Sequence, residues 1–186
     1  AWRIYGYDTD VWESRWHNDT EARLMRRSAP FALYVLAKAG EADISRVRYM
    51  HDRELSQMES PLARAQLGAA LAILGDRARA TSAFEAAVNA LGYSNNGDYY
   101  QTALRDLAGV IALAAEVQMT DVLEDLSERL GADVSDGDYL STQEKSFLLL
   151  ALDAMTAGEA EPQIATEVDG ANARYVLESV AAAGEA

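Results

Sequence analysis

The side chains that could do chemistry fall into three groups. Near the start, Tyr7, Asp8, Asp10, Trp12 and Glu13 mix aromatic rings with carboxylates. Carbohydrate-active helical toroids use two such acids to flank a scissile bond, at a carboxyl separation of about 5 to 9.5 Å. Spacing along the chain does not supply that separation, and packing accounts for the same residues. The two histidines form the second group: His17 has Asp19 beside it, and His51 has Asp52 and Glu54. A metal centre needs three or four convergent ligands, and neither neighbourhood shows a helical His-x-x-x-His pair. The third group is Ser141-Thr142-Gln143-Glu144. A serine N-cap with an acid at the fourth position is a reciprocal capping box, which explains Ser141 and Glu144 by backbone hydrogen bonds alone. No glycine-rich phosphate loop and no Gly-x-Ser-x-Gly elbow occurs. The sequence thus offers no catalytic residue, no cofactor-binding residue and no metal ligand, and a non-enzyme without a cofactor is expected.

Composition narrows the setting in which those groups sit. The chain has 186 residues, 49% of them apolar, which suits one ordinary domain with a sizeable core. Thirty acidic against 16 basic side chains leave a net charge of -14. That charge repels a phosphate backbone, so nucleic acid is not an expected partner. It also reads as solvated helix faces rather than as an acidic active site. With no cysteine, disulfides, thiolate metal sites and cysteine nucleophiles are all excluded. No run approaches the roughly 18 to 20 apolar residues that cross a bilayer, and the first residues lack a signal-peptide pattern, so no direct membrane contact is expected. The opening at Ala1 in Trp-Arg-Ile-Tyr reads as a segment of something longer.

Helix punctuation then supplies the elements. Gly40, Gly75, Gly92, Gly131 and Gly158 each follow an apolar or alanine-rich run, where positive φ can end a helix. Ser60-Pro61 and Asp76 read as helix starts, as do the capping boxes Asp121 with Glu124 and Ser141 with Glu144. These marks predict helices at 29–39, 43–57, 61–74, 77–91, 101–118, 121–130 and 142–157. Short links make neighbours antiparallel, giving three helical hairpins and one unpaired helix.

The faces separate into two kinds. Phe31, Ala32, Leu33, Val35, Leu36 and Ala37 surround the first helix, and Phe147-Leu148-Leu149-Leu150-Ala151-Leu152 make the last one apolar nearly all round. Helices of that kind must be covered on several sides. By contrast, 77–91 shows one stripe: Ala80, Ala83, Phe84, Ala87, Val88 and Leu91. Leu67, Ala70, Leu71 and Leu74 form a packed face among alanines, which lets helix axes approach closely. The expected fold is all-α: antiparallel helical hairpins in two layers, inner and outer. After Gly158 the texture changes, and Asp169-Gly170 between 164–168 and Tyr175-Val176-Leu177 reads as a hairpin turn. A helix over 171–183 is the alternative there. Two parts are expected, 1–157 helical and 158–186 a tail or the start of a β element.

Taken in order, these segments resemble a known family. Phe31-Ala32-Leu33-Tyr34-Val35-Leu36-Ala37-Lys38-Ala39-Gly40 with Ala42-Asp43-Ile44, then Pro61-Leu62-Ala63-Arg64-Ala65-Gln66-Leu67, then Leu74-Gly75-Asp76-Arg77-Ala78, and Ser-Thr-Gln-acid at 141–144 are similar to the thioester domain of bacterial α2-macroglobulins. The likeness covers roughly residues 28–157. It implies the C-terminal part of an α/α toroid (terpenoid-cyclase-like), in a large protease trap whose bait region is cut and whose Cys-Gln thioester, in many members, acylates the attacker. Without cysteine this chain forms no thioester, and Gln143 belongs to the Ser-Thr-Gln motif rather than to a Cys-Gln pair. The resemblance implies a non-catalytic segment of a protease inhibitor, with proteases and the other domains of the same chain as partners. It further implies the periplasm or cell envelope, the parent being anchored to the inner membrane.

Two other readings stay open at this level. Gly75-Asp76 followed by Ala80, Ala83, Phe84 and Ala87 fits the second helix of a tetratricopeptide repeat, a protein-binding scaffold, although the other hairpins lack that pattern. An α/α-toroid carbohydrate-active enzyme would instead rest on Asp8, Asp10 and Glu13.

Overall fold

A computed structural model describes residues 20–92, 101–135, 140–157, 163–169 and 172–178. Among them are seven α-helices: α1 (Thr20–Lys38), α2 (Ile44–Glu54), α3 (Pro61–Ile73), α4 (Arg77–Asn89), α5 (Ala103–Glu116), α6 (Thr120–Ser135) and α7 (Thr142–Thr156). Two strands follow, β1 (Gln163–Asp169) and β2 (Asn172–Glu178). The chain divides into two compact units, Ala1–Met155 and Thr156–Ala186. In the second, β1 and β2 pair antiparallel from Gln163 opposite Glu178 to Asp169 opposite Asn172. The strand reading of this stretch, not the helical one, is the one observed.

Helix starts follow side-chain acceptors. Asp43 Oδ1 takes the Ser45 N–H at 2.9 Å, Ser60 Oγ takes that of Ala63 at 3.3 Å, and Asp76 Oδ1 takes that of Arg79 at 3.4 Å. Proline at the first position of α3 needs no N–H partner there. Gly40, Gly75 and Gly92 end their helices at φ of +74°, +84° and +91°. Gln118 does the same for α5 at +57°, a left-handed stop that the side chain did not announce.

Four expectations about the helices need correction. α1 begins at Thr20 and carries Pro30 in its interior, not in its first turn. Residues 43–57 split into α2 and a 3₁₀ turn, Leu55–Gln57. α6 starts at Thr120, which puts Asp121 inside the first turn rather than at the cap. Its ladder also runs through Gly131 to Ser135, because a helical glycine costs only about 1 kcal/mol and does not by itself stop a helix.

α3 is the hub of the helical unit. It packs against α1, against α5 and against its hairpin partner α4, and more lightly against α2; α5 pairs with α6. Thus α1, α3 and α5 lie side by side, while α2 and α4 back them. Small residues permit this: Ala63, Ala65, Gly68, Ala69 and Ala70 of α3 are all buried. A Cβ on Gly68 would sit 2.9 Å from Phe84 Cδ2, so the α3–α4 approach has no room for one. One core cluster joins Leu62, Phe84, Leu107, Ile111, Leu126 and Ala151, the other Leu33, Val47, Met58, Leu67 and Leu71.

Among the described residues, the apolar helices α1 and α7 are not covered on several sides. Ala151 is buried and Phe147 and Leu148 pack on the core, yet Leu149, Leu150 and Leu152 are 68%, 55% and 54% exposed. On α1, Leu33 and Ala37 are buried while Leu24, Phe31 and Val35 are exposed. The expectation assumed neighbours on several sides, and each helix meets the described core through one face.

Candidate functional site

The Ser141–Glu144 motif forms the box that its spacing implied. The Ser141 N–H donates to Glu144 Oε2 at 2.8 Å, and the Glu144 N–H donates to Ser141 Oγ at 3.3 Å. Burial pushes the Glu144 carboxyl up, but the Ser141 N–H and hydroxyl and the Thr102 hydroxyl outweigh it and hold it below its usual value. Thr102 is itself the N-cap of α5, accepting from the Arg105 N–H at 3.1 Å. Two helix starts are therefore tied together through one carboxylate. Thr142 and Gln143 are exposed beside it.

One turn on, the same corner holds a buried ion pair. Arg105 donates from Nε at 3.0 Å and from Nη2 at 2.7 Å to Asp106 Oδ1, and Gln101 Nε2 donates to Oδ2 at 2.7 Å. Asp106 is 2% exposed. Burial raises its pKa, opposed by the charges of Arg105 and of Arg27 from α1. The Arg105 guanidinium lies 5.6 Å from the centre of the Phe147 ring, and that ring sits where a Cβ on Gly109 would be, at 3.1 Å. Both oxygens of Asp106 are occupied by donors from this chain, so the group joins α5 to α7 and is not aimed at a ligand. Sequence reasoning missed it. The signal was present: Asp106 falls on the same helical line as Val110, Leu113 and Val117, a stripe that is apolar otherwise.

His51 and its acids resolve into a charge network between α2 and α4. His51 Nδ1 is 2.9 Å from Asp52 Oδ1, and Asp52 also accepts from Arg79 Nε at 2.9 Å and Nη2 at 3.1 Å. Arg79, then His51, draw the Asp52 carboxyl well below the usual range. Glu54 faces Arg26 at 3.7 Å instead of His51. Asp76 joins the network through Arg48 at 2.6 Å and is lowered chiefly by it. Among the described residues, no group of three or more His, Cys, Asp or Glu could hold a metal ion. Tyr7, Asp8, Asp10, Trp12, Glu13, His17 and Asp19 lie outside the described residues.

An open hollow of about 160 Å³ is lined by Ala72, Ile73, Arg77, Glu116, Val117 and Gln118. Its polar walls are engaged: Arg77 donates to the carbonyls of Val117 and Gln118 at 2.7 and 3.0 Å, capping α5 from outside. Glu116 accepts from the Tyr34 hydroxyl at 2.6 Å and pairs with Lys38 at 2.8 Å, tying α1 to the end of α5. These are clamps between helices rather than reactive groups. Among the described residues no helix is long and apolar enough to cross a membrane.

Known proteins resemble this scaffold. No family model matches the chain. The curated α2-macroglobulin of Xylella fastidiosa is 34% identical over 104 residues, 52% of this chain and 6% of that protein's length. The Salmonella α2-macroglobulin reacted with methylamine superposes with a TM-score of 0.67 and 28% identity, over 88% of this chain and 11% of that one. Escherichia coli α2-macroglobulin activated by porcine elastase, at a TM-score of 0.60 and 23% identity over 92% of this chain and 17% of its own, shares the fold. By sequence and fold together, the chain is similar to a C-terminal segment of bacterial α2-macroglobulins and spans only a small part of their length.

Proposed function

We propose that this chain is a non-catalytic helical platform of a bacterial α2-macroglobulin-like protease trap, working as one part of a much longer polypeptide in the periplasm or cell envelope. The observation that carries this reading is α1. Leu24, Phe31 and Val35 are seven and four residues apart and fall on one line, and that line is exposed. Leu33 and Ala37 are buried, and at about 100° per residue Leu33 lies roughly 200° round from Phe31. A helix with apolar lines on opposite sides is built to be packed from both. Leu149 and Leu152 give α7 a similar outward line. Further helices of an α/α toroid, from the rest of a longer chain, fit both lines, and 6% coverage of the curated relatives leaves ample length for them. With no cysteine here, this segment contributes rigidity and surface rather than the acylating group. Proteases would meet the whole molecule, as the E. coli relative meets elastase.

The test is to read the gene on both sides of this segment and assay its full product. The expected product carries further helical hairpins and β-domains, and it shields casein from trypsin while a small chromogenic substrate is still cleaved. Tandem tetratricopeptide repeats on either side, or casein cleaved as fast as with no product added, would overturn the reading.

A further inference from the structure

We propose that the first half of α1, Thr20–Ser28, is a strap hinged at Ala29–Pro30 and released from the helical body by ionic strength. Pro30 stands inside the helix and has no N–H, so the Arg26 carbonyl loses its usual partner and the ring crowds it. One turn earlier the Ser28 hydroxyl bonds back to the Leu24 carbonyl at 2.8 Å, a contact that bends helices. The hydrogen-bond ladder is thus weakest between the two halves.

The halves are also attached by different forces. From Ala29 onward the helix is anchored by burial: Ala29, Pro30, Leu33 and Ala37 are buried, the last two in the cluster with Val47, Met58 and Leu67. Before Ala29 none of the described apolar side chains is buried, and Leu24 and Met25 are exposed. That half meets the body through charge. Arg23 Nη2 lies 2.7 Å from Glu59 Oε2, and Arg26 Nε lies 3.7 Å from Glu54 Oε2. Arg26 Nε is buried without a hydrogen-bond partner, so its pairing with Glu54 is charge attraction only. Arg27 is half-buried near the Arg105–Asp106 pair. Charge contacts at partly exposed sites weaken as salt screens them, whereas apolar burial does not. Local opening should therefore stop at Pro30.

Hydrogen exchange of the 186-residue chain, read by mass spectrometry at about 0.02 and about 0.5 M NaCl, tests this. The Leu24–Ser28 amides should exchange about three- to tenfold faster at high salt, the change expected when two such pairs are screened. Phe31–Lys38 should not respond. Arg23→Ala with Arg26→Ala should give the fast exchange at low salt and shrink the salt response to what Arg27 carries. Pro30→Ala restores the missing N–H and should slow the first half. Salt-independent exchange at Leu24–Ser28, or equal acceleration of both halves, would overturn the proposal.

Discussion

The close approach of α3 and α4 makes one substitution give opposite results at two glycines. At Gly68 a Cβ would stand 2.9 and 3.1 Å from Phe84 ring atoms and 3.3 Å from the Ala80 carbonyl oxygen. Phe84 is fully buried, and the carbonyl belongs to a helix backbone, so neither can give way cheaply. Overpacking of that kind costs about 1–3 kcal/mol, and a rigid neighbour places it in the upper half of the range. The same change recovers about 1 kcal/mol of helix propensity. Gly68→Ala should therefore lose about 1–2 kcal/mol net. Gly131 also lies within a helix, but nothing stands within 4 Å of its Cβ position. Gly131→Ala keeps the propensity gain alone, up to about 1 kcal/mol. For a domain of this size each kcal/mol moves Tm by about 2–4 °C, so thermal unfolding followed by far-ultraviolet circular dichroism should show a fall of about 2–8 °C at Gly68 and a rise of about 2–4 °C at Gly131. Phe84→Leu, harmful alone, should cost less in the Gly68→Ala background, because the pair couples through one contact. A Gly68→Ala variant that melts higher than the parent would refute the α3–α4 packing.

The other predictions concern charge and capping. Ser141→Ala should cost about 1 kcal/mol and speed amide exchange first in the opening turn of α7; uniform loss across all helices would contradict the capping role. Arg105→Ala should cost about 3–5 kcal/mol, since it leaves the Asp106 carboxylate buried without its main partner, and a denaturant midpoint close to the parent's would show the pair to be dispensable. Asp52 and Asp76 both titrate below their unfolded value, so the stability they give is present above about pH 4 and is lost as pH falls through their folded values. Tm followed downward from neutral pH should drop less steeply in the Asp76→Asn protein, and an unchanged acid limb would remove Asp76 from the network. Asp106 has the opposite sign: burial raises it, so its contribution is greatest in acid and declines as pH rises through its raised value.

What could be read without coordinates divides along the range of the forces involved. Ser60, Asp76 and Ser141 act within three residues of themselves, and Gly40, Gly75 and Gly92 act on their own φ, so a local reading placed the helix ends that depend on them. The stripe of Ala80, Ala83, Phe84 and Ala87 is a property of one helix and was equally visible. Gly131, Pro30 and Asp121 show the limit of that reading. Each is a breaker or a cap by type, yet flanking turns with their own hydrogen bonds and packing carry the helix through. The Arg105–Asp106 pair depends on Arg27 and Phe147 arriving from other helices, which no local pattern encodes. The apolar girdles of α1 and α7 raise a different matter. Their composition is that of helices with many neighbours, whereas the structure reports how many the described residues supply. For α1, Leu33 and Ala37 have theirs and Phe31 and Val35 do not. The mismatch between composition and burial is therefore informative in itself: it locates the apolar faces that stay exposed on the described helices.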